Sequence, residues 1–275
     1  GAADLIFRLV WAQRPRRAMV TAPTFSEYGQ ALRAAGAEVM SHRLRKEDGF
    51  DLTEDILRPI GHDLDMLFLC TPNNPTGRTI PPALLEAVAR RCGEMGVRLV
   101  VDECFLELTD GAQGLAGRLE EFPTLILLRA FTKSYAIPGL RLGYCLTADR
   151  ALLERMEACA PAWAVSVPAQ AAGLAALERP GWPEQARAVI GPAREALLAA
   201  LRELGLEVWP GQANYLLFRA TGQYDLKERM AARGILLRSC ANYDGLGPDY
   251  YRAAVRLPGE NERLISTLRA VLVEN

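Results

Sequence analysis

The sequence has no surplus of either charge: 32 Lys+Arg stand against 33 Asp+Glu, a net of −1. That balance argues against a dedicated nucleic-acid binder, which carries a basic excess. No apolar run approaches the ~20 residues that span a bilayer. No basic-then-apolar signal segment opens the chain, since the apolar stretch from Leu5 to Trp11 is short and contains Arg8. His42 and His62 are the only histidines, both in polar surroundings. They are expected at the surface, and no metal site is expected. Six cysteines, at 70, 92, 104, 145, 159 and 240, form no Cys-x-x-Cys pair. Most lie in apolar runs and are expected to be reduced core thiols of a cytoplasmic protein. The chain opens on Gly rather than Met, so its natural start is expected to lie upstream.

What is present suits a globular protein. Half of the 275 residues are apolar and 24% are charged, and the length suggests one large domain, or one large and one small. Five short β-rich runs punctuate the first 150 residues: Arg17–Ala22, Asp65–Cys70, Val97–Asp102, Thr124–Arg129 and Leu142–Thr147. Several are apolar without alternation, as in strands covered on both faces. Pro81 and Pro82 open a helix whose Leu84, Leu85, Val88, Ala89 and Cys92 share one face, with Gly93 and Gly96 ending it. Strand–helix alternation predicts an α/β fold with a mostly parallel sheet between helices. Ligands in such sheets sit beyond the carboxyl ends of the strands.

From Ala151 to about Leu204 the pattern is almost wholly helical. Beyond Gly205, short strands at Glu207–Trp209, Tyr215–Phe218, Ile235–Arg238 and Tyr251–Val255 alternate with helices at Leu226–Arg233 and Glu260–Val273. The expected organisation is a large domain over 1–180, a connecting helix over 181–204 and a small C-terminal α+β domain over 205–275.

Three segments at strand ends could carry chemistry. CTPNNPTG (Cys70–Gly77) reads alone as a turn; its functional reading points the Asn74 amide into a site. VVDE ends on Asp102 and Glu103, where an acid is a cap or a buried carboxylate with a cationic partner. RAFTKSYAIPGLRLGY (Arg129–Tyr144) puts Lys133 among small and apolar residues, with Arg141 eight residues on. Alone, Lys133 reads as a solvated loop lysine. Desolvated beside another cation, it has the lowered pKa a Schiff-base nucleophile needs.

Taken together and in this order, the three resemble the fold-type I pyridoxal-phosphate (PLP) enzymes of the aminotransferase class I/II group. TKSYAIPGLRLGY and LLRSCANYDGLGPDYYR are most similar to the threonine-phosphate decarboxylase branch of the cobalamin pathway. The resemblance implies PLP as cofactor and a role for each matching residue. Lys133 bonds the cofactor aldehyde, and Asp102 holds the pyridine nitrogen protonated. Asn74 donates to the ring oxygen, Phe25 stacks on the ring, and Thr132 and Arg141 bind the phosphate. Gly1, Ala2 and Ala3 match the end of a phosphate loop that opens a helix. Arg252 matches an arginine for the substrate carboxylate, with Arg256 as a nearby rival, and Arg238 matches one that reaches a substrate phosphate. Two positions depart from the family pattern: Phe105 replaces a Tyr that donates to the ring oxygen, and Ala130 replaces a phosphate-binding Ser.

The resemblance further implies several tens of residues before Gly1, a homodimer with shared active sites, and a small phosphorylated amino acid as substrate. The reaction it implies is decarboxylation of O-phospho-L-threonine to 1-aminopropan-2-yl phosphate and CO2. Transamination of a phosphorylated substrate such as histidinol phosphate is the alternative. A non-catalytic PLP-binding sensor domain is a third reading, from a different functional class.

Overall fold

The computed structural model describes residues 1–111 and 113–274. The chain begins with α1 (Ala2–Gln13), β1 (Arg17–Ala22), α2 (Ser26–Ala34), β2 (Glu38–Arg43) and β3 (Met66–Cys70). Next come α3 (Pro82–Met95), β4 (Arg98–Asp102), β5 (Leu125–Ala130), the single turn α4 (Phe131–Ser134) and β6 (Gly143–Leu146). Then follow α5 (Arg150–Ala158), α6 (Val167–Leu177), the 22-residue α7 (Trp182–Glu203), β7 (Glu207–Trp209) and β8 (Tyr215–Arg219). The last elements are α8 (Leu226–Ala231), β9 (Arg238–Ser239), β10 (Tyr250–Ala254) and α9 (Pro258–Val273).

Six strands form one sheet in the order β2-β1-β3-β4-β5-β6. All neighbours are parallel except β5 and β6. Helices cover the sheet because its strands are apolar on both faces: every residue of β3 is buried. One core packs α3 against Leu67, Leu69, Leu99 and Val101. The opposite core packs α1 and α2 against Met66, Phe68, Val100 and Ile126. The parallel strands β1, β3, β4 and β5 all end on the same edge, which collects the loops after Ala22, Cys70, Asp102 and Ala130.

A second, antiparallel sheet has the order β7-β8-β10-β9. Trp209, Leu217 and Tyr250 continue the first core into it. The two sheets are stitched beside the Asn74 loop. Gly77 there has φ +71°, and a Cβ on it would lie 2.9 Å from Gly211 Cα. The Gln212 N–H donates to the Gly77 carbonyl at 2.7 Å, and the Tyr215 hydroxyl donates to the Asn73 carbonyl at 3.0 Å.

Several expectations need correction. The edge strand β2 carries no clear sequence signal, because EVMSHR is polar and half-exposed. The run from 151 to 204 is three helices, interrupted at 159–166 and 178–181; Ser166 caps α6, and prolines follow the start of both α6 and α7. The strand placed at Ile235–Arg238 is Arg238–Ser239 instead, and Leu236 points outward at 92% exposure. Its register is set by β10, where Tyr251 pairs with Ser239 and Arg252 with Arg238. His42 is half-buried beside Asp55 at 3.6 Å, not on the open surface. All six cysteines are free, but Cys159 is exposed. Among the described residues, no helix is long and apolar enough to cross a membrane.

Candidate active site

The loops at the carboxyl edge of the large sheet meet the second sheet around a cavity of about 410 Å³. Ala2, Ala3, Phe25, Asn74, Asp102, Phe105, Ala130, Thr132, Lys133, Arg141, Arg238 and Arg252 line it. The structure thus brings together candidates spread over some 250 positions of chain. Arg256 is elsewhere, exposed and paired with Glu260 at 2.8 Å.

Asp102 is the last residue of β4 and only 5% exposed. The Tyr28 hydroxyl donates to its Oδ2 at 2.6 Å, and the Cys104 N–H donates to its Oδ1 at 2.9 Å. Both oxygens are thereby aimed and partly solvated by the protein itself. Burial, then the Asp102 charge, pushes the Tyr28 hydroxyl well above its ordinary pKa, so it stays a donor. The Cys70 and Cys104 thiols also line the cavity, and burial raises both, so they remain neutral.

Lys133 sits in α4, directly after β5. Its Nζ lies 5.4 Å from the centre of the Phe105 ring. Phe105 packs edge-on against Tyr215 at 5.1 Å, and the Arg252 guanidinium lies 4.7 Å over the Tyr215 ring. This apolar wall explains the amine's electrostatics. Burial lowers the Lys133 pKa first, and the Arg252 charge lowers it further.

Asn74 Oδ1 accepts hydrogen bonds from Arg252 Nη1 and, at 3.1 Å, from the Tyr243 hydroxyl. With its oxygen so engaged, the Asn74 amide group has its NH2 left to donate. Gly1 precedes α1 without a side-chain cap, so the first-turn amides of that helix are unsatisfied by side chains. Arg141 lies against this helix end: a Cβ on Gly1 would be 3.2 Å from its Nη2.

The cavity wall carries four cations, Lys133, Arg141, Arg238 and Arg252, and a single acid, Asp102. Among the described residues the three arginines donate to neutral oxygens: Arg141 to the Pro138 carbonyl, Arg238 to the Asn242 amide and Arg252 to the Asn74 amide. Arg238 and Arg252 are also directly opposite one another across β9 and β10. Like charges in that relation destabilise a sheet. The site is therefore built for anions.

A family model described as aminotransferase class I and II matches residues 1–268. The chain belongs to that family. It is 43% identical over 274 residues to a threonine-phosphate decarboxylase of Salmonella typhimurium, covering 99% of this chain and 75% of that protein. It is 31% identical over 260 residues to a histidinol-phosphate aminotransferase of Methanopyrus kandleri, covering 92% of this chain and 65% of that protein. The fold of the histidinol-phosphate aminotransferase from Clostridium acetobutylicum superposes with a TM-score of 0.93 at 23% identity, covering all of this chain and 83% of that one.

As a member of this family the chain is a PLP-dependent enzyme with the fold-type I architecture. The cavity fits that cofactor on its own chemistry. It offers a lysine whose pKa is lowered by burial, a buried carboxylate held by two donors, an amide NH2, and an arginine beside a helix N-terminus suited to a dianion. Sequence reasoning missed Tyr28 and Tyr243. Tyr28 lies three residues after Phe25 at the start of α2, a spacing that puts both on one face, and the two rings meet edge-on at 5.6 Å.

Proposed function

We propose that the chain decarboxylates O-phospho-L-threonine, giving (R)-1-aminopropan-2-yl phosphate and CO2 for cobalamin biosynthesis. The observation that carries this reading is the facing pair Arg238 and Arg252 at one wall of the lysine-bearing cavity. Two uncompensated guanidiniums suit a substrate with two anionic groups beside its amine. The 43% identity to the threonine-phosphate decarboxylase of Salmonella typhimurium supports the same substrate.

PLP supplies an aldehyde that bonds a primary amine and a protonated ring that draws electrons from the adjacent carbon. The protein's residues do the rest. Lys133 would present the amine, Asp102 would keep the ring nitrogen protonated, and Asn74 would donate to the ring oxygen. Thr132, Arg141 and the amides of Ala2 and Ala3 would hold the cofactor phosphate, and Phe25 would cover the ring. Ala130 offers no hydroxyl to that phosphate, so Thr132 and Arg141 take a larger share. Arg252 grips the substrate carboxylate and Arg238 its phosphate. Gripping both ends would fix the torsion at Cα, so that the Cα–carboxylate bond is the one that breaks; CO2 would leave, and Lys133 Nζ would supply the proton that takes its place at Cα. Phe105 cannot donate a hydrogen bond, so it keeps this side apolar.

The reading includes a cytoplasmic homodimer. Residues 159–177 contain no charged side chain, yet Trp163 there is 97% exposed and Val167, Leu174 and Leu177 are exposed on α6. Such a patch suits burial against a second copy. Sedimentation equilibrium tests it; a monomeric mass at micromolar concentration counts against it.

Incubation with phosphothreonine should release CO2 without consuming a keto acid. Amino transfer from glutamate to a phosphorylated ketone, with no gas released, would instead support the aminotransferase reading suggested by the Methanopyrus relative. Arg238→Ala should weaken phosphothreonine binding by about 10-fold or more, since a hydrogen bond to a charged group contributes roughly 1.5–3 kcal/mol. Threonine binding should barely change, because it has no phosphate to lose. Equal losses for the two ligands would remove Arg238 from the phosphate role.

A further inference from the structure

Directly after Asp102 lies a second acid, Glu103, which faces away from the cavity and is absent from the chemistry above. Its side chain is completely buried. Arg129, on the neighbouring strand β5, forks onto one of its oxygens, with Nε at 2.9 Å and Nη2 at 2.7 Å from Oε2. Its other oxygen, Oε1, has no hydrogen-bond partner among the described residues. Gly114 leaves room for that oxygen, since a Cβ there would approach it to 2.4 Å. Burying a carboxylate this way is costly, and Arg129 offsets the cost only in part: burial still holds the Glu103 carboxyl above its usual range.

The location suggests what this costly pair does. The paired register of β4 and β5 ends at Asp102 opposite Leu128. One further bond follows, from the Glu103 N–H to the Leu128 carbonyl at 2.8 Å. Beyond that point the two chains part. One turns to Cys104 and Phe105, the other enters α4 and Lys133. A cavity of about 40 Å³, lined by Glu103, Arg129, Phe131 and Ser134 among others, lies beneath α4. The ion pair is therefore a side-chain tie, just past the end of the ladder, between the segment that carries Asp102 and the segment that carries Lys133. A guanidinium fork onto a carboxylate is directional, whereas apolar contact is not.

We propose that Glu103 and Arg129 are positioning residues: their buried fork sets the separation between the Asp102 carboxylate and the Lys133 amine, so that one cofactor molecule meets both. The pair does not touch the cofactor and acts through the two strand ends.

The test compares two ligands on the same chain, PLP and pyridoxine 5′-phosphate. The second carries an alcohol where PLP carries the aldehyde, so it reports the Asp102 and phosphate contacts without the bond to Lys133. The ratio of their dissociation constants isolates the alignment of Lys133. Two variants are measured, Glu103→Gln and the apolar double replacement Glu103→Met with Arg129→Met. Gln keeps the shape but strands the Arg129 charge, so its melting midpoint should fall. The double variant removes both charges and should melt close to the parent, as well-packed apolar replacements of buried pairs do. In both variants the PLP advantage over pyridoxine 5′-phosphate should shrink by at least about 10-fold, equivalent to about 1.4 kcal/mol, while pyridoxine 5′-phosphate binding stays near the parent value. A purely structural pair predicts something else: weakened binding of both ligands in step with lost stability, and full recovery in the double variant. Either an unchanged ratio in both variants or parallel loss of both ligands would overturn the proposal.

Discussion

Lys133→Ala should lose turnover by at least about 10³-fold, since acid–base transfer by one positioned side chain alone contributes roughly 10²–10⁴-fold. Borohydride reduction of the PLP-loaded parent should leave the pyridoxyl group on Lys133, and peptide mapping should find it on neither of the other lysines. The sequence contains just two others, Lys46 and Lys227. Lys46 is paired with Glu207 at 2.8 Å, and Lys227 lies 3.9 Å from Glu228. Both lie beside an acid on the outside of the fold. Lys133 has instead a buried apolar wall and the Arg252 charge, both of which favour the free amine that attacks an aldehyde.

The sign of the pH dependence follows. In the unfolded chain Lys133 holds its proton up to about pH 10.4, an ordinary lysine value; in the native chain it releases the proton at lower pH. Between the lowered native value and the unfolded one, the unfolded state binds more protons, so this residue makes stability rise with pH across that window. Below the native value both states are protonated and the full cost of the buried charge remains. Arg252→Ala removes one cause of the shift and should move the onset of Lys133 acylation to higher pH. Labelling of Lys133 with the pH onset of an ordinary lysine, about 10.4, would contradict this account, as would a pyridoxyl group mapped to Lys46 or Lys227.

The large sheet was legible because its central strands β3, β4 and β5 are buried on both faces, and unbroken apolar runs as short as MLFLC have few other uses. The polar edge strand β2 has only one sheet neighbour, β1, and its composition says little. The segment Ile235–Leu237 looks more strand-like than Arg238–Ser239, yet hydrogen bonding to β10 decides the pairing. Such register is set by a partner a dozen residues away, and local composition does not encode it. The same contrast runs through the cavity. Asn74, Asp102 and Lys133 sit at or just past strand ends, where an α/β sheet places its useful residues. Tyr28 and Tyr243 do not. Tyr28 reaches Asp102 from a helix beneath the sheet, and Tyr243 reaches Asn74 from a loop of the second sheet. Each contact joins elements that only the folded chain brings together.

Asp102→Asn should retain the fold and lose turnover by about 10³-fold or more, because preorganised electrostatic stabilisation is often the largest single catalytic contribution. Asparagine preserves the shape and one acceptor oxygen, so the hydrogen bond from Cys104 N–H can persist and the melting midpoint should stay close to the parent. What asparagine cannot do is carry the negative charge that, in the proposed role, would keep the ring nitrogen of bound PLP protonated. Without that charge the ring would draw electrons from Cα poorly. Tyr28→Phe gives the contrasting control. It removes one donor that aims the carboxylate and leaves both the charge and the Cys104 bond at 2.9 Å in place. Its loss should therefore be far smaller than that of Asp102→Asn. Steady-state turnover of the two variants beside the parent measures the difference. Near-normal turnover for Asp102→Asn would reduce the carboxylate to a cap on the end of β4. A loss in Tyr28→Phe as large as in Asp102→Asn would shift the decisive factor from the charge itself to the way it is held.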